Sequence, residues 1–129
     1  MDITTTIDAY MAFWNEPDAE RRGPLLAQAF SEDARYQGPL LEATGRDGIA
    51  ALASQLREHL GDHRFERTGQ IDAHHDVVRY AWQIVPVSGE PHFAAGVDIG
   101  TLDASGRLKS VTAFLDVAPE GLANHHDGA

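Results

Sequence analysis

The sequence predicts one α+β domain, in which three N-terminal helices pack against a curved, mostly antiparallel sheet that wraps a pocket. Two observations predict it. Apolar residues recur at helical spacing through the first half of the 129-residue chain, and from Phe65 onward they alternate as they do in strands. Helices that precede the strands, rather than alternating with them, indicate α+β organisation. The length suits one hydrophobic core, so we expect residues 1–129 to form a single domain.

Three helices are predicted. The first runs from Ile3 to Trp14 and ends at the turn signal of residues 15–18. The second is expected to start near Pro24, a residue that suits a first helical turn. The third follows Thr44 and ends at Gly61, a residue type common at helix C-termini. The apolar stripe of this third helix comprises Ile49, Leu52, Ala53, Leu56 and Leu60.

Strands are predicted over 35–37, 65–73, 77–85, 92–102 and 107–117. The last four are separated by short turn signals, at residues 74–76, 88–89 and 104–106. Short turns between successive strands imply an antiparallel meander. Residues 118–129 are polar and contain glycine, and they are expected to form a loose tail.

The composition of the chain excludes several classes of function. Hydrophobic residues make up 43% of the chain, and the formal net charge is -10, from 20 acidic and 10 basic residues. A chain this acidic repels phosphate backbones, so nucleic-acid binding is not expected. No apolar run reaches the length of a membrane span, and the N-terminus does not have the pattern of a signal peptide. The absence of cysteine excludes thiolate chemistry and is compatible with a cytoplasmic location.

The register of the hairpin formed by the strands at 77–85 and 92–102 can be estimated from its turn. Pairing that is symmetric about Ser88 and Gly89 places Arg79 opposite Asp98, on one face of the sheet. A slip of one residue would separate the pair. An adjacent guanidinium would lower the pKa of Asp98.

The same register leaves an apolar outer face if Asp98 points inward. We expect this face to join two copies of the chain in a homodimer. Its residues are Val78, Tyr80, Trp82, Ile84, Val97 and Ile99.

Three segments then carry a family resemblance. They are the passage from Phe30 to Tyr36, the glycine-led run from Thr44 to Ile49, and the stretch from Gly96 to Asp116. In this order and spacing they resemble the cone-shaped domains of the nuclear transport factor 2-like superfamily, and locally its SnoaL-like branch. The resemblance covers the chain from about Ile3 to Asp116 as a coarse alignment and implies the three-helix, curved-sheet fold. Because the superfamily includes both enzymes and non-enzymes, it does not by itself fix a function.

Three enzyme branches imply different roles for these residues. Ketosteroid isomerases use a tyrosine and a protonated aspartic acid as an oxyanion hole, and Tyr10 and Asp98 match those positions, whereas Gly38 stands where the general base would be. SnoaL-like polyketide cyclases use one aspartate as acid and base, and Asp98 matches it.

Limonene epoxide hydrolases are the third branch. Tyr36 and Arg79 match their tyrosine and arginine, but Ala81 and Ala113 replace the two catalytic aspartates and Gly38 replaces the asparagine. The hydrolytic set is therefore incomplete. Of the three branches, the resemblance to the cyclases is contradicted least.

These matches lead to two hypotheses. In the first, the protein performs proton transfer on a small apolar carbonyl compound, with Asp98 as acid/base, Tyr10 as hydrogen-bond donor and Arg79 as orienting group. The ligand-binding residues would then be Trp14, Tyr36, Leu56, His92 and Val111. In the second, the protein is a non-catalytic ligand-binding or dimerisation module, in which Asp98 and Arg79 form a structural pair. Neither hypothesis implies a cofactor, and no zinc-type spacing is present. His74 and His75 are expected to point to opposite faces, away from a shared metal.

Overall fold

The computed structural model describes residues 2–39, 41–87 and 94–117. It confirms the α+β fold: three helices cover one face of a seven-stranded mixed sheet that is not closed. The elements, in chain order, are α1 (Ile3–Asn15), α2 (Ala19–Ala29), β1 (Phe30–Gln37), β2 (Glu42–Thr44), α3 (Gly45–Leu60), β3 (His63–Arg67), β4 (Asp72–His74), β5 (Val77–Pro86), β6 (Ala94–Leu102) and β7 (Leu108–Val117).

The helix boundaries follow local capping. α1 and α3 agree closely with the predicted spans, and Gly61 ends α3 with a positive φ of 71°. The predicted start of the second helix at Pro24 is wrong. The helix starts at Ala19, because the Asp18 carboxylate accepts a hydrogen bond of 2.9 Å from the amide of Glu20. Pro24 therefore lies within the helix, where its ring removes one backbone donor.

The strand order is β2-β1-β7-β6-β5-β3, and β4 also pairs with β5. The β1–β7 pair is parallel and the other pairs are antiparallel. The single strand predicted over 65–73 is two short strands, β3 and β4, which pair with opposite ends of β5. The predicted tail at 118–129 lies outside the described residues.

The register between β5 and β6 differs by one residue from the predicted register. Tyr80 lies opposite Asp98, and Arg79 lies opposite Ile99. Because a one-residue slip exchanges the two faces of a strand, the large residues of β5 face the helices. They are Val78, Tyr80, Trp82 and Ile84, all buried, so their assignment to an outer face is wrong. The free energy gained by burying these side chains is larger than the preference for a turn centred on Ser88 and Gly89, from which the register was predicted.

The core lies between the inner face of the sheet and the helices. α1 contributes Tyr10, Phe13 and Trp14, all with 4% exposure or less. Leu56 of α3 is only partly buried, although it packs against this core. The outer face of the sheet carries the half-buried Val97 and Ile99 of β6, beside Phe114 of β7.

Gly96 is required by the bend of the sheet. A Cβ atom at this position would lie 1.9 Å from the carbonyl oxygen of Phe114 and 2.9 Å from the indole of Trp82. The β6–β7 register shifts between Ala95 and Gly96, which is typical of a β-bulge and increases local curvature. Because Gly96 has no side chain, the strands can bend over the core.

We expect Gly96→Ala to lower the free energy of unfolding by about 3 kcal/mol, because backbone must move to admit the methyl group. Gly69→Ala is the matched control, since a Cβ there meets nothing within 4 Å. The control should stay within about 0.5 kcal/mol of wild type. Urea unfolding followed by circular dichroism measures both, and equal stabilities would contradict this account of the bend.

Candidate functional site

Asp98 is the one fully buried carboxylate among the described residues, with 0% exposure. It lies on β6 between Gly96 and Gly100, and its side chain points to the inner face of the sheet. An ionised carboxylate in such surroundings is strongly unfavourable unless hydrogen bonds replace its water. The site is therefore defined by the groups that contact this side chain.

Two donors from different elements meet the carboxylate. The Tyr10 hydroxyl of α1 donates to Oδ2 at 2.7 Å, and the Trp82 indole Nε1 of β5 donates to Oδ1 at 2.8 Å. Each oxygen thus receives one hydrogen bond and keeps a second lone pair. The carboxylate can still accept another hydrogen bond or a proton.

Burial sets the proton affinity of the site. Desolvation raises the pKa of Asp98 from its ordinary value to about 6, against the opposing effects of the Tyr10, Trp82 and Tyr80 side chains. Burial, and then the charge of Asp98, raise the pKa values of Tyr10, Tyr36 and Tyr80. The phenols therefore remain protonated donors at neutral pH, while Asp98 exchanges its proton near neutrality.

The Tyr10 and Trp82 side chains that hold the carboxylate pack against further aromatic rings. We call this set the aromatic cluster, and it consists of Tyr10, Trp14, Phe30, Tyr36, Phe65, Tyr80 and Trp82. The Tyr10 ring lies 5.9 Å from Tyr80 and 6.1 Å from Trp14, and the Phe65 ring lies 5.3 Å from Trp82. Asn15 fixes Phe65, because its side-chain amide exchanges hydrogen bonds with the Phe65 backbone at 2.6 and 2.9 Å.

The Trp14 indole N–H is buried and has no hydrogen-bond partner among the described residues. The Tyr80 hydroxyl is buried as well, and Tyr80 is the cross-strand neighbour of Asp98. Its hydroxyl interacts with the Asp98 carboxylate and with the Tyr10 hydroxyl, although the geometry is not that of a well-formed hydrogen bond.

A cleft of about 470 Å³ lies between the ends of β1 and β7. Gly38 and Ala113 line it together with Phe114 and Leu115. Ala113 is the cross-strand neighbour of Asp98 on the inner face, so the cleft wall is one residue away from the carboxylate. Gln37, Pro39, Thr112 and Asp116 complete the lining.

The predicted partnership of Arg79 with Asp98 is wrong. Arg79 points to the outer face, where its side chain is 62% exposed and donates to the Asp72 carboxylate at 2.6 Å. The cause is the one-residue difference in register. The expected lowering of the Asp98 pKa is wrong as well, since burial without a cation raises it. Arg79 is not part of this site.

Of the other predicted ligand-binding residues, the structure places two in the aromatic cluster. Trp14 and Tyr36 belong to the aromatic cluster, with ring centroids 5.6 Å apart. Val111 is fully buried beside Tyr36 on the adjacent strand. Leu56 is half-buried on α3, where it packs against the core. His92 lies outside the described residues.

Three site residues were missed as candidates: Phe65, Tyr80 and Trp82. The signal for the last two was present, because they have the same parity as Val78 and Ile84 and form the bulkiest face of β5. Assigning that face to the core would have placed them beside Asp98.

Metal ligands do not converge on this site. No group of three or more His, Cys, Asp or Glu side chains that could hold a metal ion occurs in the part of the chain that the structure describes. His74 and His75 do not diverge as expected, since their Nδ1 atoms lie 3.0 Å apart at an exposed turn where His75 has a positive φ of 55°. Among the same residues, no helix is long and apolar enough to cross a membrane.

The chain matches the family model of the SnoaL-like domain over residues 7–111. One similar structure is a proposed isomerase of the SnoaL-like family from Agrobacterium tumefaciens, with 37% sequence identity and a TM-score of 0.82 over 88% of this chain and 96% of that one. A search of curated proteins gave no match.

Two more distant structures share the fold alone. An NTF2-like protein of unknown function from Exiguobacterium has 20% identity and a TM-score of 0.70, over 87% of this chain and 98% of that one. A cystatin-like protein of unknown function from Nostoc punctiforme has 14% identity and a TM-score of 0.72, over 92% and 91%.

The raised pKa of Asp98 predicts a pH-dependent stability. Between the ordinary value of 3.8 and about 6, the folded chain binds more protons at Asp98 than the unfolded chain does. Stability due to this group therefore falls as pH rises through this window and is constant above it. Relative to Asp98→Asn, wild type should gain about 1 kcal/mol of unfolding free energy between pH 7.5 and pH 5, and about 3 kcal/mol in the acid limit.

Urea titrations of both proteins across this range test the prediction. Asn retains the shape and one acceptor oxygen, so both proteins should be folded at pH 7.5. Parallel pH profiles would show that the Asp98 carboxyl does not have this raised proton affinity.

Proposed function

Because the chain belongs to the SnoaL-like domain family, we propose that it is a cofactor-independent enzyme that moves protons on a small apolar carbonyl compound, as isomerases and cyclases do. Asp98 is the acid/base, and Tyr10 is the group that holds its carboxylate in place. One observation carries the proposal: a fully buried carboxylate stands in the aromatic cluster, with two hydrogen bonds and spare lone pairs.

The chemistry follows from the proton affinity. With a pKa of about 6, Asp98 is mostly ionised at neutral pH and is a stronger base than an exposed carboxylate. It takes a proton from the carbon next to the carbonyl group, and the electron pair of the broken C–H bond moves onto the carbonyl oxygen. Return of the proton from Asp98 to another carbon completes an isomerisation. In a cyclisation, the enolate carbon attacks a second carbonyl group, and the oxygen of that group takes the proton back from Asp98.

One carboxylate must perform both proton steps. Gly38 stands where ketosteroid isomerases have a separate base, and Ala113 stands where epoxide hydrolases have an aspartate. Both positions line the cleft beside Asp98 and carry no ionisable group. Their small size favours entry of an apolar substrate through this cleft. The similar Agrobacterium protein, itself only proposed to be an isomerase, is consistent with this reaction class.

A non-catalytic ligand-binding or dimerisation module is the second candidate, and one observation favours it. Both oxygens of Asp98 already receive a hydrogen bond, so the carboxylate could serve to fasten α1 to the sheet. In this form the structural partners of Asp98 are Tyr10 and Trp82, in place of Arg79.

We also propose a homodimer that forms through the outer face of the sheet. Val97 and Ile99 remain on that face, where Phe114 is 55% exposed and Val117 is 45% exposed. An exposed apolar patch on a strand surface is a common site of association. A second copy of the chain presents the same patch, so the contact would be two-fold symmetric. A cytoplasmic location remains a prediction from the cysteine-free sequence.

Asp98→Asn tests the catalytic role. We expect wild type to catalyse exchange of the α-protons of 1-tetralone for deuterium in D₂O, followed by proton NMR. Asp98→Asn should lose at least about 100-fold in rate, the usual contribution of a general base. Asp33→Asn is the matched control, because Asp33 is an exposed carboxylate on β1. Equal rates for wild type and Asp98→Asn would contradict catalysis and favour the binding module.

Phe114→Glu tests the dimer. The substitution puts a charge in the proposed interface, so the protein should sediment as a monomer at micromolar concentration while wild type sediments as a dimer. Gln28→Glu, an exposed position on α2, adds the same charge elsewhere and should leave the dimer intact. A monomeric wild type would contradict the proposal.

A further inference from the structure

The cleft between β1 and β7 exists because β1 ends before its neighbour does. The two strands pair as far as Gln37 and Thr112, whereas β7 continues to Val117. After Gln37 the chain turns away from the sheet, and the amide of Gly38 donates a hydrogen bond of 2.7 Å to the carbonyl oxygen of Leu41. The end of β7 is therefore not covered by β1, and the space beside it is the cleft of about 470 Å³.

Gly38 lines this cleft, although neither the backbone nor the packing requires a glycine there. Its φ lies outside the left-handed region. A Cβ atom at this position would lie 3.5 Å from the Cβ of Ala113 and 3.7 Å from the carbonyl oxygen of Leu41, which are ordinary contact distances. At Gly96, by contrast, a Cβ atom would overlap the backbone. The fold can therefore admit a side chain at position 38, and the glycine matters for the cleft instead.

A side chain at position 38 would stand between the cleft and the carboxylate. Ala113 is the cross-strand neighbour of Asp98 on the inner face of the sheet. Because a Cβ atom at position 38 would touch the methyl group of Ala113, a larger side chain would extend over that residue and fill the adjoining part of the cleft. The small residues at both positions thus keep the side of the cleft nearest Asp98 open.

We propose that Gly38 is a specificity-determining residue, which lets the cleft admit flat, uncharged ketones of up to about three fused rings toward Asp98. A side chain at this position would restrict the protein to smaller compounds. The inference rests on the proposed function for the role of Asp98, but the selection by size is a property of binding and can be measured without catalysis.

The chemical class follows from the lining of the cleft. Phe114 and Leu115 supply apolar walls, which favour a flat ring framework. The volume of about 470 Å³ is within the range of pockets that enclose drug-sized ligands, and a single ring would leave most of it empty. Asp116 also lines the cleft, and none of the described lining residues is cationic, so a ligand carboxylate or phosphate would be repelled.

Gly38→Val tests the inference, and its stability is measured first. A Cβ atom fits at this position, so the variant should melt within about 4 °C of wild type. Gly48→Val is the matched control, because a Cβ atom there would also lie at an ordinary distance from an alanine Cβ, 3.6 Å from that of Ala43, but Gly48 lies on α3 and does not line the cleft. A larger fall for Gly38→Val than for the control would mean that the fold requires this glycine, which overturns the inference.

Binding is the second measurement. The probes are 1-tetralone, with two fused rings, and phenalenone, with three, titrated against each protein by ligand-observed NMR. Gly38→Val should weaken phenalenone about tenfold, the effect of overfilling a packed site, and 1-tetralone less than about threefold. Gly48→Val should bind both ketones like wild type. Equal effects of Gly38→Val on the two ketones, unchanged affinities, or no binding of either ketone to wild type at its solubility limit would overturn the inference.

The outcomes separate this inference from the proposed function. If Asp98→Asn abolishes deuterium exchange into 1-tetralone while Gly38→Val binds phenalenone like wild type, the catalytic role stands and the role of Gly38 is wrong. If Gly38→Val selectively loses phenalenone but wild type exchanges no deuterium, the role of Gly38 in binding stands and the catalytic proposal is wrong.

Discussion

The rest of this structure depends on the hydrogen-bonded burial of Asp98. A carboxylate with no exposed surface is stable in an aromatic core only when donors replace its hydration, and these donors come from two separate elements, Tyr10 of α1 and Trp82 of β5. The interaction therefore fixes where the helix crosses the sheet. It also explains why the most polar point of the core lies among its largest rings.

The glycines of β6 make this arrangement possible. A Cβ at Gly96 would overlap the Phe114 carbonyl and the Trp82 indole, and one at Gly100 would lie 2.7 Å from Leu108. Side chains at these positions would push β5 and β7 away from the inner face. Without them, the sheet curves closely enough for the Trp82 indole to reach Asp98. The curvature of the fold and the chemistry of the site thus have one cause.

The one-residue difference in register between β5 and β6 decides whether a positive charge lies beside Asp98. Had Arg79 faced Asp98, its charge would have held the carboxylate ionised and weakly basic. Arg79 instead pairs with Asp72 on the exposed face, and burial raises the pKa of Asp98 to about 6. A base that titrates near neutrality is suited to proton transfer, whereas a strongly paired one would serve only as an anchor.

The local pattern of the sequence determined the fold class and the limits of α1 and α3, because helical periodicity and strand alternation are properties of neighbouring residues. Family resemblance added the inward placement of Asp98, and Tyr10 as its counterpart across the core. Only the tertiary structure decided the partners of Asp98. Alternation defines two faces of a strand, but the pairing across a hairpin depends on which face gains more by burial, and this favoured Tyr80 and Trp82 over Arg79.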